Sequence, residues 1–177
     1  MDTLDLWALR IAEEVAPDEV DLAPAMVQAF VRGGRDRRDL FRQPRESVPG
    51  AFGPELVIVL FPLILETIEK VGPALMNFFT TTKDAWAGAN SFIGAINVLL
   101  TIGSRTGRKK TAETLPDNPY GPMKDVITIM SQELESSGVP PEQADAIILR
   151  VLRRMLEDPS GATEFVEKVG KASPSKP

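Results

Sequence analysis

Apolar positions in this chain recur at the three-and-four spacing of helices that bury one face. Leu4, Trp7, Ala8, Ile11, Ala12 and Val15 mark a first amphipathic helix, with Asp2 or Thr3 as its cap and Pro17 as its stop. A second helix is predicted from Asp21, with Pro24 in its first turn. It buries Leu22, Met26, Ala29 and Phe30 and ends at Gly33 and Gly34. Residues 1–34 thus form a helical pair. Residues 35–53, RDRRDLFRQPRESVPGAFG, read as a basic linker punctuated by Pro44, Pro49, Gly50 and Gly53.

The weakly charged middle, 54–104, reads as a central hydrophobic helical hairpin with arms of roughly 54–82 and 84–103. Pro62 interrupts the first arm, so a short buried strand over Glu55–Phe61 is the alternative there. The polar residues of both arms share one face. Glu66, Pro73 and Thr80 are spaced by seven, with Lys70, Asn77 and Asp84 in a row beside them. In the second arm Asn90, Asn97 and Ser104 repeat the spacing, with Trp86, Ile93, Ile96 and Leu100 on the other side. A basic, Pro-rich loop occupies 105–121.

The remainder, 122–170, predicts a C-terminal module of two to three short helices, followed by a disordered tail at 171–177. Met123, Val126, Ile127, Met130 and Leu134 form one stripe, closed by Gly138 with Val139 as its hydrophobic contact. Pro141 opens the next helix, with Ala144, Ile148, Val151, Leu152 and Met155 on one face, and Pro159 ends it. Ser160 is the expected cap of a last helix containing Phe165, Val166 and Val169. Met123, Met130 and Met155 suit either a small core or an adaptable recognition surface. No strand alternation or hairpin dipeptide pattern is visible, so the fold class expected is all-α.

Composition then narrows the chemistry. With 177 residues and 43% hydrophobic content, the chain can bury one good core. It contains neither Cys nor His, which removes disulfides, thiolate nucleophiles, Cys–His and Ser–His–Asp machinery and the commonest transition-metal ligands. Neither a cofactor nor a metal is expected. The close carboxylate pairs, Glu66 with Glu69 and Glu133 with Glu135, lie on a polar helix face and near a helix end, and neither implies a pocket. GSRTGRKKT, from Gly103 to Thr111, lacks the spacing of a phosphate-binding loop, because three residues separate its glycines and Arg108 follows the second. No small-molecule substrate is identified. The opening MDTLDLWALRIAEE carries acids where a secretory signal carries basic residues, so a cytoplasmic location is expected.

Charge completes the expectations. The net charge of −5 argues against a specific nucleic-acid binder. Two basic clusters nevertheless flank the hairpin: Arg32, Arg35, Arg37, Arg38, Arg42 and Arg45 before it, and Arg105, Arg108, Lys109 and Lys110 after it. If the hairpin's ends meet, these clusters form a positive face for an acidic partner or for anionic lipid headgroups. The alternative is a solvated linker, neutralised by Asp36, Asp39 and Glu46. Ala85–Ser104 is uncharged and long enough to span a bilayer. Glu66, Glu69 and Lys70 oppose insertion of the other arm, at roughly 2.5 to 3.5 kcal/mol per central charge. The expectation is a non-enzymatic helical adaptor or accessory subunit working through protein–protein contact or oligomerisation. A conditionally membrane-inserting effector at the membrane periphery is the alternative, and a cofactor-free carboxylate enzyme is third. The predicted contact residues are Arg35, Arg37, Arg38, Arg42, Arg105, Arg108, Lys109 and Lys110, with Trp86, Ile93, Ile96 and Leu100.

Overall fold

The computed structural model describes residues 2–42, 60–81 and 121–171. Among them every regular element is helical: α1 (Thr3–Val15), a 3-10 segment (Pro17–Leu22), α2 (Ala23–Arg32), α3 (Gly34–Leu40), α4 (Leu60–Thr81), α5 (Gly121–Ser136), α6 (Pro141–Glu157) and α7 (Pro159–Gly170). The all-α class is what the three-and-four spacing predicts.

Helix α4 is the axis of the fold. It packs against α5 and α7 along its length and against α2 near the N-terminal unit, while α1 rests on α2, α6 and α7. Its apolar residues Phe61, Ile64, Leu65, Ile68, Val71 and Leu75 are all buried. The predicted wet face is wet, since Lys70, Pro73, Asn77 and Thr80 are exposed and Glu66 is half-buried. Pro62 does not interrupt this helix. It is the third residue, where a missing N–H removes no intrahelical bond. Leu60 and Phe61 are therefore helical and not part of a strand, while Glu55–Val59 lie outside the described residues.

The N-terminus of α4 is capped from a distance. The Glu19 carboxylate, on the 3-10 segment, accepts the N–H of Leu60 at 2.8 Å and of Phe61 at 3.1 Å. A negative charge on two free donors at the positive end of the helix dipole stabilises both partners. The same 3-10 segment corrects the expected second helix. It absorbs Asp21 and Leu22, so α2 starts at Ala23 and buries Ala23, Val27 and Phe30, leaving Leu22 exposed and Met26 and Ala29 half-buried.

The basic linker expected from residue 35 begins instead as helix α3. Gly33 and Gly34 have φ of +71° and +59°, a left-handed pair that ends α2 and redirects the chain. The acids that would neutralise a linker then act as helix pairs. Arg32–Asp36 and Arg35–Asp39 are both four residues apart. Pro44, Pro49, Gly50 and Gly53 lie outside the described residues.

The buried residues of the C-terminal helices belong to the main core. Met123, Met130 and Met155 are buried within it and act as core packing, not as a surface. Helix α5 ends as predicted: Val139 N–H bonds Leu134 C=O and Gly138 N–H bonds Glu135 C=O, with Gly138 at φ +90° and Val139 buried. Pro159 does end α6, but it also opens α7. The cap there is Asp158, which accepts from the Gly161 N–H at 3.1 Å, while Ser160 is exposed. Trp7 stacks on Phe165 with ring centroids 6.0 Å apart, joining α1 to α7. Gly161 is required at this joint, because a β-carbon there would lie 2.6 Å from Trp7 Nε1 and from Asp158 Oδ2.

Candidate partner-binding surface

Of the predicted contact residues, the structure describes Arg35, Arg37, Arg38 and Arg42, all on or just beyond α3. Trp86, Ile93, Ile96, Leu100, Arg105, Arg108, Lys109 and Lys110 lie outside the described residues, as do the second hairpin arm and the 105–120 loop. So does the expected convergence of the two basic clusters. The expected tail lies outside too, except for Lys171.

The four arginines are not equivalent. Arg37 points inward, donating to Glu69 of α4 from both terminal guanidinium nitrogens, with Nη1 to Oε1 at 2.9 Å. Its guanidinium carbon lies 4.0 Å from the centre of the Phe30 ring, and its side chain is only 13% exposed, against 20% for Glu69. A fork-on-carboxylate pair over an aromatic face suits arginine and not lysine. Arg37 therefore fastens α3 to the bundle. Phe41 adds an edge-on contact to Phe30 at 6.5 Å and remains 43% exposed.

Arg35, Arg38 and Arg42 are all exposed. Arg35 and Arg42 are 83% and 75% exposed and hold Asp39 between them, at 3.7 and 3.2 Å. Arg38 is exposed and has no acidic partner among the described residues. Sequence reasoning placed these residues in one cluster but missed Glu69 and Phe30 as the groups that sort them. The readable signal was the four-residue Arg-to-Asp spacing, which marks a helix with two distinct sides.

The candidate carboxylates are committed elsewhere. Glu66 pairs with Lys70 at 3.5 Å, Glu133 accepts from the same ammonium, and Glu69 holds Arg37. The Glu133 bond holds the Lys70 ammonium above its ordinary pKa, as Glu157 does for Arg154 and Glu164 for Lys168, while Lys168 holds the Asp2 carboxyl below its own. Each of these directions reinforces a charged structural group. None prepares the neutral acid or neutral base that proton transfer needs near pH 7. Among the described residues no three carboxylates converge as metal ligands. A cavity of about 10 Å³ between α4, α5 and α6 is lined by apolar groups including Phe79, Met123 and Met155, and supplies no polar group for a substrate.

Among the described residues no helix is long and apolar enough to cross a membrane. No family model, curated protein or solved structure compared with this chain matches it.

Proposed function

We propose that the chain is a non-enzymatic helical adaptor or accessory subunit that acts through protein–protein contact or self-association. The observation that carries this reading is the division of labour among its charged groups. Carboxylates and amines suited to chemistry are tied into helix-to-helix pairs, whereas the outer arginines of α3 are held out from the bundle on a fastened helix. Arginine beside a half-exposed aromatic is a composition favoured at protein interfaces. Size-exclusion chromatography with light scattering on the full chain tests self-association directly. A binding partner is then sought by crosslinking at α3.

The rival reading, a conditional membrane-inserting effector, rests on the uncharged run Ala85–Ser104. It requires α4 to leave the faces of α5 and α7 that now cover its apolar side. Flotation with anionic vesicles tests it, combined with dye leakage and tryptophan emission. A Trp7→Phe background is needed for the emission, because Trp7 is buried in the core and would mask a change at Trp86. Vesicle association with leakage would replace the adaptor reading by the rival.

A further inference from the structure

We infer that the outer face of α3, formed by Arg35, Arg38 and Arg42 with Phe41 at its edge, docks an acidic helical segment of a protein partner. This rests on the adaptor reading and names the class of partner.

Three observations select the face. First, α3 lies at the edge of the core: none of its residues is fully buried, Leu40 packs against the core from its inner side, and Arg37 and Phe41 fasten that side to Phe30 and Glu69. Second, the outer side keeps an excess of positive charge after its internal pairs are made. Among the described residues, Arg32, Arg35, Arg38 and Arg42 face only Asp36 and Asp39, which leaves two guanidinium charges in excess there in a chain of net charge −5. An acidic segment is repelled by the protein as a whole and attracted here. Third, Arg35 and Arg38 are three residues apart on α3, and Arg42, just beyond its end, shares Asp39 with Arg35, so the three guanidinium groups lie along one side. Glutamates at the same spacing on a facing helix each meet one guanidinium fork, and an apolar residue beside them covers the exposed edge of Phe41.

Asp39 is what separates this ligand from phosphate. It stands between Arg35 and Arg42, so a doubly charged phosphate placed there meets a carboxylate, whereas Arg38, with no acidic partner among the described residues, is open to a single carboxylate.

The test uses the full chain and a fluorescein-labelled, helix-forming peptide of about 15 residues, with Glu at three-and-four spacing and one Leu on the same face. A Lys-for-Glu peptide is the control, and anisotropy is read as salt is raised. The wild-type protein is expected to bind the acidic peptide and not the control, with affinity falling as salt screens the charges. Arg35→Glu/Arg38→Glu/Arg42→Glu is expected to weaken binding by about tenfold or more, and Phe41→Ala to weaken it less. Arg35, Arg38 and Arg42 are solvent-facing, so the circular dichroism spectrum and melting temperature of the triple variant are expected to hold, whereas Phe41→Ala also gives up the Phe30 contact and is expected to melt lower. Peptide binding that survives the triple variant overturns the inference. So does binding lost equally in Arg105→Glu/Arg108→Glu/Lys109→Glu/Lys110→Glu, or association with phosphatidylserine vesicles through α3 without peptide binding. Light scattering on the same variants separates this from the broader reading. A mass that drops in the triple variant assigns the face to a second copy and overturns the inference. Absence of peptide binding with an intact oligomer overturns the inference and leaves the adaptor reading standing.

Discussion

The Arg37–Glu69 pair should behave as a fastener whose two halves are worth little apart. Its side chains are 13% and 20% exposed, between the solvent pairs that contribute about 0.2 to 1 kcal/mol and the buried pairs whose disruption costs about 3 to 5. Glu69→Gln leaves the guanidinium over Phe30 without its counter-charge, with an expected cost of about 2 kcal/mol. Arg37→Met keeps the apolar stem but loses both the pair and the ring contact, and about 2 to 3 kcal/mol follows from adding a cation–π term near 1. The double variant Arg37→Met/Glu69→Leu removes both charges together. Its cost should be far below the sum of the singles, giving a coupling of about 2 kcal/mol. Urea denaturation followed by circular dichroism reads this directly. At a slope near 2 kcal/mol/M, each single lowers the midpoint by about 1 M. Additive effects, with coupling below about 0.5 kcal/mol, would reduce the pair to an ordinary surface contact and refute the sorting of the α3 arginines.

Other expectations follow from the same geometry. Glu19→Ala uncaps two donors at the start of α4 and should cost about 1 to 2 kcal/mol in urea titration, with partial recovery in Glu19→Gln; a neutral Ala variant would exclude the long-range cap. Gly161→Ala drives a methyl group into Trp7 and Asp158 and should cost about 1 to 3 kcal/mol, and a red shift of Trp7 emission in a Trp86→Phe background should accompany it. Gly34→Ala meets no neighbour within 4 Å but must hold φ +59°, so a loss of about 1 kcal/mol is expected from backbone conformation alone. Glu133 raises the pKa of Lys70, so the charged pair stabilises fully below the ordinary lysine value of 10.5 and fades as pH rises through the raised one. The melting-temperature advantage of wild type over Lys70→Met should therefore be flat up to that pH and shrink beyond it.

Much of the fold was legible because it depends on one helix at a time. The buried stripes of α1, α5 and α6, the exposed Lys70–Pro73–Asn77–Thr80 face of α4 and the Gly138 stop all follow from local spacing. The errors fell at junctions. Periodicity starts α2 two residues early and so puts Leu22 inside, and composition names Ser160 as the cap although it is Asp158 that closes onto Gly161. The candidate surface was half legible. Its arginines were found, but Arg37 carried no mark distinguishing it from Arg38, its neighbour in the chain.

Local periodicity and turn chemistry determined which segments are helices and which side of each is dry, because a helix exposes its pattern through contacts three and four residues apart. Tertiary structure alone decided what meets each dry side and which charges are spent in doing so. Glu69 lies 32 residues from Arg37, Leu60 lies 41 from Glu19, and Asp158 lies 148 from Arg10. Pairs so distant in sequence are set by how separate helices pack, α4 against the N-terminal unit and α1 against the α6–α7 junction, and no spacing rule along a single helix can record them.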